Sequence, residues 1–173
     1  MEHNARPAPV LDASPGPAFI SGMPHDHPGA GLPDSIARLL RQFAALGREE
    51  KMQALLHYSR KLEPLPARFA AVDRAAFTVP ECQTRVDLFP EFRDGRMHYY
   101  ADVDVRQSPT IAAFLAILFS AINDQPPDTT LAIPADFVRV MMEGIGLAGR
   151  EAGLTAMVHR LKAHARRALA PAS

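Results

Sequence analysis

Two adjacent residues, Asp94-Gly95, restrict what this chain can fold into more than any other feature. Between two runs rich in aromatic and aliphatic residues, Asp-Gly marks a two-residue hairpin, because both central residues of the favoured turn need positive φ and these two tolerate it. Such a turn fixes register. It sets Arg93 against Arg96, Phe92 against Met97, Glu91 against His98, Phe89 against Tyr100, Leu88 against Ala101, Asp87 against Asp102 and Arg85 against Asp104. Val86, Leu88, Phe92, Met97, Tyr99 and Ala101 then share the face assigned to the core, while Arg85, Asp87, Glu91, His98 and Asp102 share the other. Pro90 falls where a residue does not donate to the facing strand, so its missing N–H costs that ladder nothing and implies that its other side is unpaired. The β-prone run Phe77-Thr78-Val79 supplies a third, short partner. A small three-stranded antiparallel sheet is expected.

Helices surround this unit. Pro33 and Asp34 suit a helix start, and Leu32, Ile36, Leu39, Leu40, Phe43 and Leu46 recur on one face up to Gly47. A second helix is expected from Arg48 to Leu62, with Glu49 and Glu50 at its positive end and Met52, Leu55, Leu56 and Leu62 buried. Leu65 to Ala76 reads as a loop with about one helical turn. The run Ile111 to Phe119 is apolar on every side, which suits a central helix and is too short for a bilayer, where about 20 residues are needed. After the Pro126-Pro127 interruption come a short segment from Asp136 to Glu143 and a last helix from Glu151 to Ala168, burying Leu154, Met157, Val158 and Leu161. The fold class is α+β.

Residues 1–31 hold six prolines and four glycines with no apolar periodicity, so they are expected to form a disordered tail ahead of one domain at 32–170. They lack the pattern of a secretory signal. His25-Asp26-His27 could ligate a metal only with further ligands, and a solvated leader is the simpler reading. Nineteen basic residues balance nineteen acidic ones, which argues against nucleic acid or an anionic membrane as partner. One cysteine excludes an internal disulfide, points to the cytosol, and rules out a stand-alone iron–sulfur or zinc site built on several thiolates.

That cysteine, Cys82, lies between the 77–79 run and the hairpin, two residues after Pro80 and flanked by Glu81, Gln83 and Thr84. Most free cysteines are small buried hydrophobes. Here the polar neighbours and the proline place the thiol on a turn, where it can be offered to another molecule.

Taken in order, Glu49-Glu50-Lys51, Lys61-Leu62 with prolines after it, Val79-Pro80-x-Cys82-Gln83, Val86, Asp94-Gly95, Asp102-x-Asp104, the apolar helix and Gly153-Leu154-x-x-Met157 resemble the SufE/CsdE sulfur acceptors of cysteine desulfurases. The resemblance runs from about Leu32 to Ala168. It implies a curved antiparallel sheet packed by helices and a loop-borne Cys82 that receives persulfide sulfur from a desulfurase, a pyridoxal-phosphate enzyme, and passes it towards an iron–sulfur scaffold. Glu81, Gln83, Arg85, Asp104 and Arg150 are the candidate partner-binding residues, with no cofactor or metal of the chain's own. Three departures stand out. Glu81 replaces a usual glycine, and would be strained if that glycine had positive φ. Gln83-Thr84-Arg85-Val86-Asp87 replaces the usual Gln-Ser-Gln-Val-Trp, and Leu147-Ala148-Gly149-Arg150 is shorter than the usual loop although Arg150 matches its arginine.

Two other classes fit the same residues. A cysteine hydrolase or transferase would need His98 within hydrogen-bonding reach of Cys82, and the hairpin register sets His98 opposite Glu91 instead. A non-catalytic interaction module would bury Cys82 as core.

Overall fold

The computed structural model describes residues 31–146 and 148–171; the expected tail at 1–31, with its His25-Asp26-His27 triplet, lies, but for Gly31, outside the described residues. The hairpin forms in the expected register, with β1 (Val86–Arg93) antiparallel to β2 (Arg96–Val103). Asp94 and Gly95 both take positive φ, 52° and 75°, as the turn requires.

Among the described residues the sheet has two strands, not three. Thr78 makes a single bridge to Asp87, with Val79 N donating to Val86 O at 2.9 Å and Leu88 N to Phe77 O at 2.9 Å. Pro80 then turns the chain away before a ladder can grow, and Pro90 has no N–H to extend it. Across Pro90 sits Tyr99, whose N–H goes outward to Asn123 Oδ1 at 2.8 Å, as a non-bonded pair demands. Asn123 Nδ2 returns a bond to Tyr99 O, and Met97 exchanges bonds with Asp124 and Gln125. Loop segments thus close the outer edge of β2 where a strand would otherwise be exposed.

The helices are α1 (Asp34–Ala45), α2 (Arg48–Ser59), α3 (Pro109–Ile122), α4 (Pro127–Leu131), α5 (Phe137–Met142) and α6 (Glu151–Leu169). Helix α3 is the core: eleven of its residues are buried, and it packs on α1, α2 and β2. Helix α6 lies on α4, α5 and β1. Among the described residues no helix is long and apolar enough to cross a membrane. Helix α4 was not expected; Pro127, which ends one helix pattern, opens another because its fixed φ and missing N–H suit a first turn.

Two expectations about faces are corrected. Met52 and Leu56 of α2 are 42% and 65% exposed, and the buried positions are Lys51, Leu55 and Ser59. Helix α2 also stops at Ser59, short of Leu62. Lys51 reaches inward because its ammonium donates to Glu143 O at 3.0 Å, just past the end of α5, while its stem covers apolar surface. In the hairpin, Phe92 is exposed and the supposed polar face is largely buried: Asp87, Phe89 and Tyr100 are covered by the 67–77 segment. Phe69 meets Phe89 and Tyr100 at 5.1 and 5.5 Å between ring centroids, and Phe77 meets Phe89 at 4.9 Å. The loop expected at 65–76 holds two short helical turns, Ala67–Phe69 and Arg74–Ala76, which present these rings. The hairpin is therefore sandwiched, and Phe92, near the turn, projects beyond its cover.

Candidate functional site

Cys82 sits in the turn between Val79 and Val86, with its N–H donating to Val79 O at 3.3 Å. Its two limbs are held at the stem by the Val79–Val86 bond, and Thr84 Oγ1 accepts from Ser108 Oγ at 2.9 Å, which ties the loop to the start of α3. The thiol is half-buried. It rests against the first turn of α6, where Gly153 leaves room: a Cβ there would stand 3.4 Å from Cys82 Cα and 3.5 Å from its Sγ.

Beside Sγ opens a cavity of about 140 Å³, lined by Glu81, Gln83, Ile111, Arg150, Leu154 and Met157 among others. Its wall is mixed. Ile111 of α3 and Leu154 and Met157 of α6 supply apolar lining, and Glu81, Gln83 and Arg150 supply polar lining. Glu81 is not among the non-glycine residues with positive φ, which are Asp94 and Asp124 among the described residues, so glutamate is accommodated there without backbone strain.

The expected rim is brought together only in part. Glu81, Gln83 and Arg150 surround the Cys82 cavity. Arg85 and Asp104 line a neighbouring depression instead, and they do not pair across the strands: the register ends at Val86 and Val103. Asp104 Oδ1 accepts from the backbone N–H groups of Arg106 and Gln107 at 2.9 and 3.1 Å, capping its own turn before α3. Arg85 Nε donates to Asp87 Oδ2 at 3.2 Å.

Asp87 is the residue that sequence reasoning misplaced. It is 1% exposed, and it accepts from Thr78 Oγ1 at 2.5 Å, from Arg74 Nη1 at 3.2 Å and from Arg85. Arg74 also bonds Asp102, which lies directly across the sheet from Asp87. One signal was available: two carboxylates facing each other repel, so a cation had to lie between them. Nothing in the spacing pointed to Arg74 as that cation.

His98 stands apart from the thiol. Its Nδ1 meets Asp124 Oδ1 and its Nε2 meets Glu63 Oε2, both at 2.9 Å, and it does not line the Cys82 cavity. Partial burial works against its charge, yet the hydrogen bonds to Asp124 and Glu63 outweigh this and raise its pKa. A histidine held between two carboxylates on another face cannot serve Cys82 as base. Among the described residues, no cluster of three or more His, Cys, Asp or Glu side chains is arranged to hold a metal.

Fold and site together define a single-thiol α+β domain, with the cysteine on a loop between a sandwiched hairpin and a helical layer. The chain belongs to the SufE family: the family profile described as "Fe-S metabolism associated domain" matches residues 37–165. Uncharacterized SufE-like proteins from two strains of Mycobacterium tuberculosis are 32% identical over 147 residues, covering 80% of this chain and 96% of each relative. An uncharacterized SufE-like protein of Synechocystis is 26% identical over 63% of this chain and 65% of its own length. A chloroplastic quinolinate synthase of Nicotiana tabacum matches at 31% identity over 65% of this chain, which is 16% of that protein. Among solved structures, a hypothetical protein from Thermus thermophilus superposes with a TM-score of 0.69 at 30% identity, covering 80% of this chain and 98% of that one.

Proposed function

We propose that the domain spanning 32–170 is a cytoplasmic sulfur carrier that accepts persulfide sulfur on Cys82 from a cysteine desulfurase and passes it on for iron–sulfur cluster assembly. The observation that carries this reading is the seat of Cys82: a half-buried thiol on a loop, with a cavity of about 140 Å³ at its side. A loop can carry the thiol into a partner's active site, and the cavity can shelter a second sulfur afterwards. The Cys82 thiolate attacks the outer sulfur of the donor's persulfide. One S–S bond forms on Cys82 as the donor's S–S bond breaks, and the donor cysteine leaves as a thiolate. No external oxidant or reductant is consumed. With no second cysteine in the chain, the new persulfide has no internal partner to resolve it. Glu81, Gln83 and Arg150 around the cavity, and Arg85 and Asp104 beside it, form the surface offered to the desulfurase, a pyridoxal-phosphate enzyme.

Replacing Cys82 by serine keeps size and polarity but removes the soft nucleophile. The C82S protein is expected to fold and to bind the desulfurase without stimulating it. Wild type incubated with desulfurase and cysteine is expected to gain the mass of one sulfur on the peptide containing Cys82. Equal stimulation by C82S across the desulfurases of the source organism, or no sulfur on Cys82, would replace this reading with that of an interaction module.

A further inference from the structure

The carboxylate of Asp87 is joined to both limbs of the loop that carries Cys82. Thr78, on the limb entering the loop, donates to Oδ1, and Arg85, on the limb leaving it, donates to Oδ2. Arg74 donates to Oδ2 as well and links it to Asp102. Asp87 and Asp102 carry two negative charges and Arg74 and Arg85 two positive ones, so the cluster is neutral only while Arg85 is in place. The members differ in exposure. Asp87 is 1% exposed while the Arg85 side chain is 66% exposed, so Arg85 is the half of the contact that can leave. A lift of the loop from Gly153 that swings its leaving limb would draw Arg85 off a buried carboxylate and leave the cluster with one uncompensated negative charge, which would oppose the movement.

We infer that Asp87 is a positioning residue that holds the Cys82 loop in its seat against α6, with Arg85 as the releasable side of the latch. The inference rests on the reading of Cys82 as a sulfur acceptor. The thiol stays half-sheltered until an encounter gives Arg85 another carboxylate, and the population of the lifted loop sets how often a docking event succeeds.

The test compares native-state alkylation of Cys82 by iodoacetamide in wild type, D87N, R85A and R85K. D87N keeps size and a hydrogen-bonding oxygen but loses the charge, and is expected to speed alkylation by about tenfold or more. R85A removes an exposed side chain but leaves the buried Asp87 carboxylate with one cation fewer, and is expected to speed alkylation roughly fivefold with a small fall in melting temperature. R85K should fall nearer wild type. If R85A alkylates at the wild-type rate, the latch does not exist, whether or not D87N folds; a lowered D87N melting temperature with unchanged alkylation overturns it equally. Alkylation needs no desulfurase, so a wild-type protein that takes up no sulfur would sink the carrier reading and leave the loop-holding role to be judged on alkylation alone.

Discussion

At the scale of single residues, the site depends on what is missing at 153 as much as on the thiol at 82. Glycine in the first turn of a helix forgoes about 0.5–1 kcal/mol relative to alanine. Here it leaves room beside the loop, and an added Cβ would meet Cys82 Cα and Sγ at 3.4 and 3.5 Å, the near edge of ordinary contact. Those gaps are small but not clashes. The G153A change is therefore expected to fold with little change in melting temperature, the gain in helix propensity offsetting the tighter packing. It should also narrow the space beside Sγ and slow sulfur uptake on Cys82, measured as the rate of mass gain on its peptide. Uptake at the wild-type rate would show that the seat against α6 is not where the persulfide forms or rests.

At the scale of elements, α2 shows how a helix can turn a different face inward from the one its apolar residues suggest. Leu56 is left in solvent while Lys51 is buried, because the amine finds the Glu143 carbonyl beyond the end of α5. A carbonyl at a helix end needs a donor, and a lysine stem is apolar enough to cross the interface on the way. Removing the donor leaves that carbonyl without its bond. We expect K51A to cost about 1–3 kcal/mol in denaturant unfolding and L56A to stay within about 0.5 kcal/mol. The reverse order would mean that the apolar stripe of α2, and not Lys51, faces the core. The hairpin behaves in a related way, since its register follows from its turn while the burial of its second face does not.

At the scale of the whole molecule, one buried histidine ties stability to pH. His164 on α6 is 4% exposed, stacks on Phe77 at 6.2 Å, and has no partner for Nε2 among the described residues. Burial, with the nearby charges of Arg167 and Arg160, pushes its pKa down from 6.5 to about 4. Below pH 6.5 the unfolded chain therefore takes up a proton that the folded chain refuses. The contribution is fully present above that pH, is lost progressively as pH falls towards about 4, and totals on the order of 3 kcal/mol. His98 acts with opposite sign and in another window: its pKa is raised, so its contribution is complete below pH 6.5 and lost as pH rises through the folded value. H164L should accordingly lose about 2–3 kcal/mol less stability than wild type between about pH 7 and pH 4.5 in denaturant titrations. Parallel losses in the two proteins would mean that His164 is protonated in the folded state.

The sequence alone determined the features governed by near neighbours along the chain. Asp94-Gly95 set the hairpin and its register because φ preferences act within a turn, and the unbroken apolar run identified α3 because such a surface is stable only when enclosed. The lone Cys82, with Pro80 and its polar flanks, marked the loop for the same local reason. Tertiary structure decided what depends on distant partners. That the third strand shrinks to one bridge, that Lys51 displaces Leu56, that Asp87 is buried on Arg74, Thr78 and Arg85, and that Asp104 caps its own turn all depend on groups brought together only by folding. A buried charge is favourable or costly according to the partners that meet it, and spacing along the chain does not say which partners those will be.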